Sequence, residues 1–110
     1  MKYSHKKDKG KLQYRLIPPA ALEKVAEALT YGNTKYSAHS WVNVESSRYV
    51  DAAYRHLEAA RQGMLVDSES GLPHLAQAIT NLMFLLERQE RTGEDQVSFY
   101  VEQDNSKNKV

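Results

Sequence analysis

Between Leu72 and Leu86 the chain reads LPHLAQAITNLMFLL, and no other segment limits its fold so strongly. Leu72, Leu75, Ala76, Ile79, Leu82, Met83 and Leu86 recur at the spacing of one helical face, and Ala78, Phe84 and Leu85 make the far side apolar as well. A helix apolar on two sides must be covered on two sides. A chain of 110 residues is one domain with one core and has little else to cover it with. The segment predicts a helix from near Ser70 to between Glu87 and Glu90. The fold expected is a small all-α bundle of three to four helices, completed by oligomerisation.

On the second side of that helix His74 and Asn81 stand two turns apart on one line, with Gln77 beside them. Burying such groups unpaired would cost on the order of 1–3 kcal/mol each. The line therefore needs partners: a site, a water network or another subunit.

Two further helices are legible. PPAALEKVAEALTYG predicts one near 18–31, with prolines suited to its first turn, Leu22, Val25, Ala26 and Leu29 on its apolar stripe, and Gly32 as its stop. A second should run from Ser46 or Ser47, either able to cap, to Gln62, with Gly63 ending it. Its stripe is Val50, Ala53, Tyr54, Leu57 and Ala60, which puts His56 at the edge, about 90° from the centre. Between these helices lie Tyr36 and Trp41, rings large enough to be expected over something. The division expected is an arm at 1–17, a helical domain at 18–90 and an extension at 91–110. In that extension VSFYV reads as a short strand or docked segment, and the last six residues as disordered.

The turn between the second and third helices, RHLEAARQGMLVDSESGLPHL, gathers His56, Glu58, Asp67, Glu69 and His74. Each has an ordinary explanation. Carboxylates before a helix are favoured by its dipole, lone histidines are more often packed than ligating, and Arg55 suits an i, i+4 pair with Asp51. Together, carboxylates and imidazoles across one turn are the residue types that hold Mg²⁺ or Mn²⁺ and move a proton.

Charge narrows the ligand. Residues 1–15 hold six basic side chains against Asp8, a net +5, whereas the whole chain carries +1, which leaves −4 for the rest. A local cationic arm suits a phosphate-bearing ligand, and no nucleic-acid partner is expected of a chain that is not basic overall. No apolar run approaches the ~20 residues of a bilayer span, so no membrane partner is expected, and a cytoplasmic protein is. Without cysteine there are no disulfides, zinc ribbons or thiol nucleophiles. P-loop, GxGxxG and nucleophile-elbow patterns are absent.

The blocks DKGKLQYRLIPP, YGNTKY, SWVNVESSRYVDAAYRHLEA and DSESGLPHLAQAITNLMFLLE, in that order over residues 8 to about 88, strongly resemble the dATP/dGTP diphosphohydrolase family of phages and prophages, related to the all-α NTP pyrophosphatases of the MazG-like group. The resemblance implies a helical, usually oligomeric protein that binds a divalent metal and cleaves a purine deoxynucleoside triphosphate to monophosphate and pyrophosphate. The family pattern carries over at Lys9, Gly10, Lys11, Gly32, Lys35, Tyr36 and Trp41, at Arg48, Tyr49, Arg55 and His56, and at Asp67, Glu69, Ser70, Gly71, His74 and Asn81. Two departures stand out: Gln77 where many relatives have a second histidine, and Leu12 where they have proline. The paired E-x-x-E and E-x-x-D carboxylates of the wider group are absent too.

On this reading Asp67 and Glu69 hold Mg²⁺ or Mn²⁺, and His56, Glu69 and His74 take the catalytic roles. Lys9, Lys11, Lys35 and Arg55 neutralise phosphate charge, Trp41 or Tyr36 stacks on a purine, and Asn81 reads its edge. The alternative is a nucleotide-binding protein that sequesters or senses without turnover, to which Gln77 and the missing acidic pairs give support.

Overall fold

The computed structural model describes residues 9–35 and 44–92. Tyr36, Trp41, the VSFYV segment and the last six residues lie outside them. Three helices follow in order, α1 (Pro19–Lys35), α2 (Ser46–Arg61) and α3 (His74–Thr92), preceded by a single 3-10 turn at Tyr14–Leu16. Among the described residues there is no strand. Val66 and Pro73 form one isolated antiparallel bridge within the connector between α2 and α3. The all-α bundle expected from the sequence is the fold observed. No described helix is long and apolar enough to cross a membrane.

Pro19 opens α1 where its missing N–H costs nothing, and the Leu22 N–H donates to the Pro18 carbonyl at 3.0 Å. The helix does not stop at Gly32. It continues through Asn33 and Thr34 to Lys35, and Gly32 is not among the glycines with positive φ. A helical glycine costs about 1 kcal/mol relative to alanine, which the turns on either side outweigh here. Gly63, with φ 96°, does end α2 in the left-handed region. Neither serine caps that helix. Glu45 holds the cap position without a side-chain bond, Ser46 Oγ accepts from Arg88 Nη1 at 2.8 Å, and Ser47 is buried.

α3 packs along α2 and more sparingly on α1. The residues of α2 that face it are Tyr49, Ala53, His56 and Ala60, at the i, i+4, i+7, i+11 spacing of a helical stripe, all buried or half-buried. This corrects the expected stripe: Tyr54 is 70 % exposed, and His56 stands on the core-facing line instead of its edge. The corresponding line on α3 is His74, Ala78, Asn81 and Leu85. Leu75, Ile79, Leu82, Met83 and Leu86, expected to face the core, all turn outward. α3 also begins at His74 instead of Ser70 and runs two residues past Glu90.

The apolar core lies at the end of the α2–α3 pair away from the connector. Tyr49 and Leu85 are buried there, with Val44, Val50 and Phe84 packed against them. Each such burial contributes roughly 1.5–3 kcal/mol. The Tyr49 and Phe84 rings stand 5.1 Å apart at 44°, and the Arg88 guanidinium lies 5.4 Å above Tyr49. Burial pushes the Tyr49 hydroxyl up to about 12, although Arg88 pulls the other way. The opposite end of the pair, at the connector, is polar.

Candidate functional site

Gly63 turns the chain out of α2, and the Met64 N–H donates to the Ala59 carbonyl at 2.9 Å. Residues 65–74 then close on themselves. His74 N–H donates to the Leu65 carbonyl at 2.8 Å, Asp67 N–H to Leu72 at 2.8 Å and Gly71 N–H to Asp67 at 2.7 Å. Gly71 has φ 75°, a conformation that a Cβ would strain. The chain therefore reaches α3 with His74 as its first residue.

Inside this closed turn Asp67 is the organiser. Its Oδ2 accepts from Gln77 Nε2 at 2.9 Å and from Ser70 Oγ at 3.0 Å, and its Oδ1 accepts from the Glu69 N–H at 3.3 Å. Gln77 Nε2 also donates to Ser70 Oγ at 2.9 Å, and the Leu72 N–H donates to the same oxygen at 3.2 Å. These donors, Gln77 first and then Ser70 and the Glu69 N–H, with the charge of His74 as a smaller cause, hold the Asp67 carboxyl below its ordinary value of 3.8 against the opposing effect of burial. Asp67 is thus an ionised group fixed in direction by three partners.

Beside it the two histidines meet across the seam. His56 Nδ1 and His74 Nδ1 are 2.8 Å apart, the ring centroids 5.1 Å apart and the planes tilted by 39°. One Nδ1 must carry the proton and the other accept it, which leaves each ring's Nε2 as the atom through which a proton can pass to a ligand. Burial lowers the His56 pKa from 6.5, the neighbouring His74 and Arg55 lower it further, and Asp67 opposes them. His56 is therefore neutral at pH 7 and able to accept a proton.

The other expected site residues are more dispersed. Glu69 is exposed on the outside of the turn. Glu58 is bound by Arg61 and by Gln62 Nε2 at 2.7 Å on the outer surface of α2. Asn81 donates from Nδ2 to the Gln77 carbonyl at 2.7 Å, so its amide serves the helix backbone. Arg55 is exposed beside His56. Lys9 and Lys11 flank Gly10 on the exposed arm, and Lys35 is the last residue of α1. The polar line of α3 thus finds its partners within the chain, in His56, Asp67 and Ser70.

An open groove of about 470 Å³ runs alongside, between α1 and the connector. Glu23, Glu27 and Tyr31 border it from α1, and Ser70 and Leu72 from the turn. Ser70 belongs both to this groove and to the Asp67 network. Neither the groove nor the Ser70–Gln77 bond was expected from the sequence. The run DSES is nevertheless the signature of a turn in which an aspartate accepts from the backbone two residues on.

Among the described residues no three imidazole or carboxylate groups stand close enough together to share an ion. Asp67 is occupied by hydrogen-bond donors, and Glu69 is exposed on the turn. The described residues therefore do not fit the expected Asp67–Glu69 cage for Mg²⁺ or Mn²⁺.

Residues 1–97 match a family model described as dATP/dGTP diphosphohydrolase, N-terminal. Over 78 residues the chain is 38 % identical to the dATP/dGTP diphosphohydrolase of Salmonella phage PMBT28, an alignment that takes in 71 % of this chain and 27 % of the phage protein. The chain thus spans only that share of the relative's length. No solved structure matches it.

Proposed function

The chain belongs to the dATP/dGTP diphosphohydrolase N-terminal family, and from that premise we propose that it hydrolyses purine (deoxy)nucleoside triphosphates to monophosphate and pyrophosphate. The observation that carries the reading is the pair of half-buried imidazoles in hydrogen-bond contact beside an ionised, immobilised Asp67. In this scheme water attacks the α-phosphorus, its proton passes to an imidazole Nε2, and the bond to the β-phosphate breaks with pyrophosphate leaving. A neutral His56 is suited to the proton step, and Asp67 to stabilising the imidazolium that forms. Proton transfer of this kind contributes on the order of 10²–10⁴-fold.

The rest of the ligand is assigned by charge. Glu23 and Glu27 make the groove a poor seat for a triphosphate and a good one for the amino-bearing edge of a purine. The phosphates belong nearer Arg55 and the lysines of the arm. Mg²⁺ or Mn²⁺ enters this proposal as the ion that accompanies the triphosphate, and no step is assigned to it. A second copy of the chain is proposed to cover the outward leucines of α3 and so complete the bundle.

Binding without turnover remains the second reading, and one observation favours it: Gln77, an amide that cannot titrate, occupies the Asp67 carboxylate. Incubation with a panel of dNTPs and NTPs plus Mg²⁺ or Mn²⁺, followed by product separation, tests the two. Monophosphate plus pyrophosphate from dATP or dGTP supports hydrolysis. Equilibrium binding of the same nucleotides without product supports sequestration.

A further inference from the structure

The seam between α2 and α3 carries a donor set that suits a different class of ion from the one the family resemblance implies. Two imidazole Nδ1 atoms face each other at 2.8 Å, each from a well-anchored position. His56 lies within α2, and His74 is held by its N–H bond to Leu65 directly after the Val66–Pro73 bridge. At that separation the two nitrogens share a single proton, and the rings are tilted by 39°. We propose that His56 and His74 form a two-nitrogen site for a divalent transition-metal ion of the zinc type, with the Nδ1 atoms as ligands and water completing the coordination.

The geometry is close to what such an ion requires. Zinc–imidazole bonds of about 2.0–2.1 Å in a tetrahedral arrangement separate two ligand nitrogens by about 3.3 Å. The rings need to part by only about half an ångström to reach that spacing. Both residues are half-buried, so the seam shields the pair without closing it to water. Arg61 and Glu58 neutralise one another on the outer surface of α2 and do not compete.

Ligand chemistry selects the ion. Imidazole nitrogen favours zinc, nickel, cobalt and copper, whereas Mg²⁺ demands oxygen donors. The oxygens that could have served it, on Asp67, are already taken by Gln77, Ser70 and the Glu69 N–H. Asp67 contributes negative charge beside the pair, in the supporting role that carboxylates play around metal-bound histidines.

The test needs no nucleotide, so its outcome is independent of the proposed hydrolysis. Chelator-treated full-length protein is titrated with ZnCl₂ alone at neutral pH, with heat of binding and histidine side-chain NMR as readouts, and then with MgCl₂. Expected are one bound equivalent of zinc, coupled shifts of the His56 and His74 rings, and no comparable response to magnesium. His56→Gln and His74→Gln keep a hydrogen-bonding side chain, and each should weaken zinc binding by on the order of tenfold or more. Should either variant fail to fold, the ring shifts of the unaltered protein still decide the question. Zinc shifts confined to His5 or His39, or magnesium binding at the same pair with similar strength, would overturn the proposal.

Discussion

Along the side of α3 that meets α2 stand His74, Ala78, Asn81 and Leu85, whereas Leu75, Ile79, Leu82, Met83 and Leu86 on the remaining surface are 40–58 % exposed. The inner side is the more polar and the outer side the more apolar. At the connector end, α2 meets α3 through the directed His56–His74 hydrogen bond, and Gln77 ties α3 to Asp67 and Ser70 of the connector. Only at the far end, around Tyr49 and Leu85, does burial of large side chains take over. Hydrogen bonds specify position more sharply than they add stability. A seam built this way suits a site, and an outer face built this way suits a covering partner.

The largest expected effect comes from setting the two sides against each other. Leu85→Ala should lower unfolding free energy by about 2–5 kcal/mol, whereas Leu82→Ala in dilute protein should cost less than about 1 kcal/mol. Denaturant titration of both measures this, and equal losses would erase the distinction between inner and outer faces. At higher protein concentration Leu82→Ala should instead reduce the mass seen by light scattering, if a second copy covers that face.

Next in size is a contrast within the connector. Asp67→Asn replaces one acceptor with a donor facing Gln77 and Ser70, and should cost about 1–3 kcal/mol together with any turnover. Glu69→Gln, which keeps the Glu69 N–H bond to Asp67 and alters only an exposed side chain, should cost less than Asp67→Asn. A Glu69 variant that loses activity while Asp67→Asn keeps it would reverse the roles given to these two carboxylates.

The same network sets a pH dependence with a definite sign. In the folded chain His56 has a pKa below 6.5, so between that lowered value and 6.5 the unfolded chain binds the proton and the folded chain does not. In metal-free protein, stability should be fully present above about pH 6.5 and fall as pH descends through this window. Asp67, lowered from 3.8, adds a separate loss that begins only below about pH 3.8. Thermal unfolding across pH 3–8 for the parent and His56→Gln should show the upper loss disappear in the variant and the lower one persist.

Smallest is an effect on α1, remote from the seam. At Gly32 the backbone is helical and nothing lies within 4 Å of where a Cβ would sit. Gly32→Ala should therefore raise stability by about 0.5–1 kcal/mol without touching nucleotide or metal binding. A drop in unfolding midpoint would mean that this glycine is needed for a contact beyond the described residues.

The existence of the three helices was legible in the sequence, because apolar periodicity and the Pro19 and Gly63 signals are local. Their rotation was not. Periodicity finds the most apolar face, which became Tyr54 and Leu57 on α2 and Leu75, Ile79 and Leu82 on α3. The intrachain contacts keep Val50, Ala53 and Ala60 of the expected α2 stripe and Leu72 and Ala76 of the expected α3 face, but Tyr54, Leu57, Leu75, Ile79 and Leu82 are left outward and the seam is filled by smaller and polar groups. Hence His56 was placed at an edge while it stands on the contact line. The meeting of His56 and His74 across a turn could be anticipated from their positions at two helix ends. The commitment of Asp67 to Gln77 could not, since it depends on where the loop between α2 and α3 brings one carboxylate. Gly32 misled for a simpler reason: a stop signal acts only where the following residues cannot continue the helix.

One feature of the connector bears on how the protein folds, as distinct from how it stands once folded. The bonds that close it, from His74 to Leu65, Asp67 to Leu72 and Gly71 to Asp67, all span fewer than ten residues. Contacts of such short sequence separation require little loop-closure entropy and form early. The α2–connector–α3 hairpin is therefore expected to be the first unit to assemble, with α1 docking onto it later. Hydrogen exchange would register this as slower exchange in α2 and α3 than in α1. The histidine pair and the Asp67 turn would then be complete before the rest of the molecule is, so that mutations in α1 change how long the fold persists without changing how fast its chemical centre is made.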